Sequence, residues 1–574
     1  MHDVLRRSCQ LFGVLTVLVF FFGGLSIRDT ALFAVWYLPA GVIKSFEPVH
    51  GVEYNLETLP WDVEIPPHPN TTGHLIFNTA HSLLQNWPNT RYRNGHAVVP
   101  GTIPTGTLLY HGRHDSQYPD GSDWTSVDPE HSFLFCSHPC WLLTLVTTRP
   151  LNILYFDGSS AVKMRGGSMD TQDLLLWGEG RDDRAFSESE RLAELCTWVV
   201  QKGLRLDGFV RMEMDFEVML CDFSSAGGLK TVSFTRLANG APPSANSPTF
   251  SAIDVEGTPE AYAKSEVKLR NFELVHSTSQ HNHFPGETRV RLDLSRMITL
   301  YDTELAPSLI TPRITATATD GRWGHRAAAP GMDFADAAAF RQRVEGEIRP
   351  GSSSRASGVD WSALMNVIVK RYGTRLETLR YLLETNPTEG GYEVLAKKAF
   401  TQLDVMLMPY ITHPGNSTSR TSTTFELCAT SHTSYTTSLV RGMTRSERML
   451  LRAVRETTRE ICRVLVISWE RGVAAGISPK YQTGGGDLDE EKLVNSWRSH
   501  VVGLMDWLDW SMWVRCRPAC GDEEHCYLPT WPFFGGPPPA DVYIPEHMKP
   551  TKEQEDVWMK PKPTCIRRIE PYAF

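Results

Sequence analysis

The sequence predicts an α+β protein: a mixed N-terminal α/β domain, then a mainly helical C-terminal half, behind one N-terminal transmembrane helix. Three observations predict this. Residues 8–27 are twenty residues without a charge, rich in Leu, Val and Phe. Between residues 76 and 310, short apolar runs alternate with stretches of helical period. From residue 359 to 515, four long stretches carry apolar residues at helix spacing.

The first element is the apolar segment. A helix of twenty residues rises about 30 Å, close to the hydrocarbon thickness of a bilayer. Arg6 and Arg7 precede it, while Arg28 and Asp29 cancel after it. The positive-inside rule then keeps the tip cytoplasmic and sends the rest of the chain across. The apolar run is longer than the roughly 7–15 residues of a cleaved signal peptide, so a retained anchor is the preferred reading. The predicted location is therefore a single-pass membrane protein with its body lumenal or extracellular. A second apolar stretch at 30–43 contains Pro39 and is too short to span.

The 574 residues exceed what one core holds and predict several domains. The expected divisions are a tip and anchor (1–27), a Pro-rich stem (28–75), a mixed α/β domain (76–310), a linker or long loop (311–358), a helical region (359–515) and a Cys/Pro-rich tail (516–574). Residues 78–85 read as helix, and 107–110, 141–148 and 152–156 as strands. Residues 187–203 read as helix, with Leu192, Leu195, Cys196 and Val199 on one stripe. Strand character returns at 209–223, 267–275 and 288–294. In the second half, 361–384, 392–408, 444–472 and 488–513 read as helices, with Asp487 or Asp489 capping the last. Trp507, Trp510 and Trp513 sit three apart on that helix. Packing into the helical core explains them better than an aromatic platform does.

The net charge of −9 excludes a general nucleic-acid binder, which carries a basic excess. Partners beyond the membrane are unspecified. Asn70 and Asn416 begin glycosylation sequons in polar stretches. Eleven cysteines fit an oxidising compartment, with Cys136 near Cys140, and Cys516 near Cys520 and Cys526. Spacing does not set the pairing. His525 beside Cys526 admits a zinc reading, but disulfides are favoured there. The odd count leaves a cysteine over, for which Cys9 at the membrane edge is a candidate.

Three segments suggest chemistry. A short apolar run ends in Leu109-Tyr110-His111-Gly112, where a strand end presents an imidazole and Gly permits close approach. Next come Asp123-Trp124-Thr125-Ser126 and a Pro-bearing turn at 128–135 leading to a helix. The third is 207–222, where Glu213, Asp215 and Glu217 alternate with apolar residues and are expected on one strand face. Clustered carboxylates each require water, a cation or a proton, although the solvated face of an edge strand offers a simpler explanation.

Together these segments, over about residues 105–223, resemble the ADP-ribosyltransferase fold. Leu109-Tyr110-His111-Gly112 resembles that family's early His-Gly motif, and the Glu217 to Asp222 stretch resembles its late Glu strand. The resemblance implies NAD as cofactor, His111 binding the nicotinamide-side ribose, and Glu217 favouring the cationic sugar as nicotinamide leaves. It makes Tyr110, Gly112, Trp124 and Ser126 cofactor-binding candidates. The whole chain also resembles a family of uncharacterised fungal proteins, on residues 77–89 and 207–222. No activity comes with that resemblance.

Weaker signals complete the reading. His276, His281 and His283 suggest a polar hairpin loop before a metal site. Asp487-Leu488-Asp489 resembles the acid-x-acid motif of sugar-nucleotide transferases, though helix capping explains it more simply. The functional alternatives are a catalytically inactive relic of the ADP-ribosyltransferase type, a lumenal glycan-modifying transferase and a non-catalytic cell-surface interaction protein.

Overall fold

The computed structural model describes residues 58–136, 139–162, 167–238, 259–326, 332–351, 356–387, 391–412, 420–481, 489–529 and 560–570. The apolar segments 8–27 and 30–43, Cys9, Asn416 and Asp487 lie outside the described residues. Among the described residues, no helix is long and apolar enough to cross a membrane.

Helices α1 (Gly73–Ser82) and α2 (Asn86–Arg91) lead into β1 (Ala97–Ile103), β2 (Leu108–Arg113) and β3 (Asp123–Ser126). Then follow α3 (Pro129–Leu134), β4 (Cys140–Thr147), β5 (Leu151–Phe156), α4 (Asp170–Leu176) and α5 (Glu188–Gln201). Strands β6 (Gly208–Met212), β7 (Phe216–Leu220) and β8 (Leu229–Leu237) precede α6 (Pro259–Thr278) and the two-residue strands β9 (Arg291–Leu292) and β10 (Ile298–Thr299). The rest is largely helical: α7 (Ile310–Asp320), α8 (Phe334–Ile348), α9 (Trp361–Glu384), α10 (Gly391–Leu407), α11 (Arg420–Thr430), α12 (Arg445–Ala474) and α13 (Glu490–Leu508). A small ribbon of β11 (Glu524–Tyr527) and β12 (Thr564–Arg567) closes the described chain.

The large sheet runs β10-β1-β5-β6-β7-β3-β2-β4-β8, with β9 beside β1. Its central strands are buried on both faces, which is why they read as continuous apolar runs. Alternation divides them cleanly. Val99, Ile153, Val210 and Val218 face one apolar cluster, which continues through α1 into α9–α13. Val98, Leu154, Phe209 and Met219 face a second cluster, covered by α4, α5 and α8. The outcome is a mixed α/β N-terminal part and a helical C-terminal half.

Local sequence explains the helix starts. Thr444 and Glu447 form a reciprocal capping box at the head of α12, and Asp360 caps α9. Asp489 caps α13 by accepting from the Lys492 N–H at 2.9 Å, which accounts for the acid-x-acid motif at this residue. Of the three tryptophans expected on one helix, only Trp507 lies on α13, which ends at Leu508, but all three pack on the core. Trp510 is buried, Trp507 stacks on His74 at 4.1 Å, and Trp513 donates to the Gly373 carbonyl.

Five disulfides join Cys136–Cys140, Cys196–Cys221, Cys428–Cys462, Cys516–Cys526 and Cys520–Cys565. Near His525, Cys516 thus pairs with Cys526, and Cys520 with the distant Cys565.

Three expected elements take a different form in the structure. The run 209–223 is two strands, β6 and β7, joined by a tight turn in which Glu213 N–H donates to the Asp215 carbonyl. The stretch 267–275 is helical, within α6. Its Phe272, Leu274 and Val275 pack on Met214, Tyr527 and Ile566, distant partners that set its conformation. The stretch 311–358, expected to be a linker or loop, contains α7 and α8, and Phe340, Val344 and Ile348 of α8 belong to the second core cluster.

Candidate active site

Strands β2 and β3 meet through a single residue pair, Tyr110 opposite Ser126. Beyond it they part, β2 following β4 and β3 following β7. A cavity of about 360 Å³ opens there, lined by His111, Trp124, Ser126, Phe135, Glu188 and Glu217 among others.

The His111 ring bridges the parting strands. Its Nδ1–H donates to the Trp124 carbonyl at 2.5 Å, an assignment fixed by the acceptor. Burial pushes its pKa below the usual imidazole value, against the opposing pull of Asp123 and the Trp124 carbonyl. The ring is therefore neutral near pH 7, with Nε2 carrying the lone pair. Nε2 is buried, makes no hydrogen bond and lies 3.4 Å from Asp123 Oδ2. Arg113 Nη1 lies 3.5 Å from the same Asp123 oxygen and steadies it.

Glu217 stands opposite Arg211 on β6 and Ser126 on β3. The Arg211 guanidinium is 1% exposed and donates to both Glu217 and Glu188, which brings α5 to the cavity wall. Burial alone disfavours this cation, but the two carboxylates outweigh it and raise its pKa. The central strands thus carry a buried Glu-Arg-Glu chain, not the solvated edge-strand face considered for this segment.

The Ser126 hydroxyl lies 2.6 Å from the Ser132 hydroxyl and 2.6 Å from the Asp128 carbonyl. Ser132 in turn donates to the Tyr110 carbonyl at 2.7 Å. Gly112 lines the cavity, but its missing side chain has another purpose. A Cβ there would meet the Ser132 carbonyl oxygen at 2.2 Å, so glycine admits α3 rather than a ligand. Trp124 lines the cavity and its Nε1 is buried without a partner. Phe135 stands at the cavity 60% exposed and offers a stacking face.

Four residues singled out in the sequence, His111, Trp124, Ser126 and Glu217, therefore share one cavity with Gly112. Tyr110 is not among the lining residues and contributes its backbone carbonyl. Asn70 is exposed on a turn. His276, His281 and His283 are not on a hairpin. They lie at and just beyond the end of α6, where His281 Nε2 sits 3.3 Å from Asp128 and 3.2 Å from Glu287. Sequence reasoning gave no separate role to Arg211, Glu188, His131 or Phe135. A signal existed for Arg211 alone, as a cation inside an apolar central-strand run.

Residues 68–141 and 137–249 match the model of the YPL277C N-terminal domain family, a span that includes every cavity residue named above. Two Saccharomyces cerevisiae proteins are similar to this chain: uncharacterized protein YOR389W, 31% identical over 26% of this chain and 31% of its own length, and uncharacterized protein YPL277C, 31% identical over 26% of this chain and 40% of its own. The chain thus spans well under half the length of these curated relatives. The matches support an uncharacterised fungal family for this part of the chain. No solved structure matches it.

Proposed function

We propose that the cavity binds NAD or a close analogue and transfers its ADP-ribosyl group to an acceptor or to water. The convergence of His111, Trp124, Ser126 and Glu217 on one cavity carries this reading. The orphaned atoms fit such a guest: Nε2 of His111 accepts from a sugar hydroxyl, and Nε1 of Trp124 donates to a polar oxygen. Glu217 supplies the negative charge that favours a cationic sugar centre, and Arg211 holds that carboxylate in place. Phe135 offers an aromatic face to a planar ring. NAD, when bound, supplies the ADP-ribosyl group and nicotinamide as the leaving group. Incubation of the purified chain with NAD is expected to release nicotinamide, followed by chromatography. A folded sample that neither releases nicotinamide nor binds NAD overturns the reading.

We further propose a membrane-anchored secretory-pathway location. The uncharged segment 8–27 behind Arg6 and Arg7, the five disulfides and the exposed Asn70 sequon support it. Expression in a eukaryotic cell is expected to give a membrane-bound glycoprotein with its cysteines oxidised. A cytosolic, unglycosylated chain with free thiols refutes it.

A further inference from the structure

The floor of the cavity holds a second constellation. His131 on α3, Glu213 in the β6–β7 turn and Glu217 on β7 each offer one ligand atom, and those atoms lie within 4.8 Å of one another. All three side chains are buried. His131 Nε2 stands 3.7 Å from Glu213 Oε2, too far for a hydrogen bond. Both His131 ring nitrogens are without a hydrogen-bond partner although the residue is only 2% exposed. A buried polar group left without a partner is costly, and a bound cation would relieve it.

The charge balance points the same way. Arg211 pairs with Glu188 and Glu217, while Glu213, Asp215 and Glu217 face the His131 imidazole. Asp215 is fully buried and neither of its oxygens has a hydrogen-bond partner. Burial raises the Asp215 carboxyl to about 7, so a proton can serve it, whereas the other carboxylates of the cluster need a proton or a cation.

We infer that His131, Glu213 and Glu217 bind a first-row divalent cation at the cavity floor. One imidazole and two carboxylates suit Mn²⁺, Fe²⁺ or Zn²⁺. Ligand bonds of about 2.1 Å place neighbouring donor atoms roughly 3–3.5 Å apart, which small side-chain rotations reach from the observed spacing. Three protein ligands leave the remaining positions facing the cavity, open to water or to an oxygen of a bound molecule. The inference goes beyond the nucleotide reading and shares only Glu217 with it. The competing arrangement is metal-free, with a protonated His131 facing the carboxylates.

Mn²⁺ alone distinguishes the two. The full chain, stripped with EDTA and dialysed, is titrated with Mn²⁺ while free ion is followed by electron paramagnetic resonance. One saturable site per chain is expected, with nitrogen coupling from an imidazole in pulsed spectra. His131→Ala and Glu213→Gln are each expected to weaken binding by about 100-fold or more, above the usual loss from removing an outer partner of a metal ligand. No saturable binding by the folded parent overturns the inference, as does bound Mn²⁺ without nitrogen coupling. The spectrum of the parent decides the matter even if a variant fails to fold. Mn²⁺ binding with neither nicotinamide release nor NAD binding would sink the nucleotide reading alone. Nicotinamide release from a chain that binds no Mn²⁺ would sink this one alone.

Discussion

Glu217→Gln is expected to slow nicotinamide release by about 10²–10³-fold, the loss typical when one charge-stabilising group is removed from a preorganised site. The substitution keeps the shape of the side chain and removes its charge. NAD binding is expected to change only a few-fold, because a glutamine still hydrogen-bonds a hydroxyl. The effect should therefore fall on kcat more than on KM, the signature of an interaction made in the transition state. A structural side effect accompanies it. Arg211 is 1% exposed and loses one of its two carboxylate partners, keeping Glu188. The melting temperature should consequently fall, and turnover is to be measured well below it. His111→Ala is the informative companion. It removes the orphaned Nε2 without touching the Arg211 chain, so its loss should appear mainly as weaker NAD binding. A Glu217→Gln variant that turns over at the parental rate removes this carboxylate from the chemistry.

The extent to which the sequence announces this site follows from the range of the forces involved. Helix α9 is read at Trp361–Glu384, residue for residue, because its apolar stripe and its Asp360 cap are both local. The cavity residues on β2, β3 and β7 are legible as motifs for the same reason. Their setting is not. Residues 213–215 contain no Gly, Pro or Asn to mark a turn, so the period-two run hides the break between β6 and β7. Burial of Glu213, Asp215 and Glu217 depends on Arg211 across a strand pair and on His131, over eighty residues upstream. No local window contains that information. The stretch 267–275 intersperses Val, Leu and Phe with Lys, Arg, Asn and Glu much as a half-buried strand would, yet Met214, Tyr527 and Ile566 make it a helix face. The 311–358 stretch is rich in Ala, Gly and Thr, whose composition suits a loop as well as a helix until Phe340 and Val344 find the sheet.

Arg289→Met tests the scaffold beneath the cavity. Arg289 donates to Asp128, to Glu287 and to the Val127 carbonyl, next to Ser126. Glu287 is fully buried and Asp128 partly so, and the variant leaves His281 beside both carboxylates. Breaking a buried pair from one side costs about 3–5 kcal/mol, and the partial exposure of Arg289 places this case at the lower end, about 3 kcal/mol. The pH profile carries a sharper signature. Burial works to raise the Asp128 carboxyl, but hydrogen bonds from His281 and Arg289 outweigh it and hold it well below the usual carboxylate range. A depressed carboxyl contributes stability that is present above its unfolded value of about 4 and lost as pH falls through the folded one. His281 has the opposite sign. Burial works to lower its pKa, but the Asp128 bond and the charges of Asp215 and Glu287 raise it. Its contribution is present below about 6.5 and lost as pH rises through the raised value. The network therefore stabilises the fold most between about pH 4 and 6.5 and weakens on both sides. Removing Arg289 takes away one of the cations that depress Asp128, so less stability remains to be lost in acid. Urea unfolding of parent and variant from pH 3 to 8 should show a shallower acid limb in the variant together with the overall loss. A difference below about 1 kcal/mol with an unchanged acid limb would mean that the Asp128–Arg289–Glu287 bonds are exchanged freely with water and do not hold the end of β3.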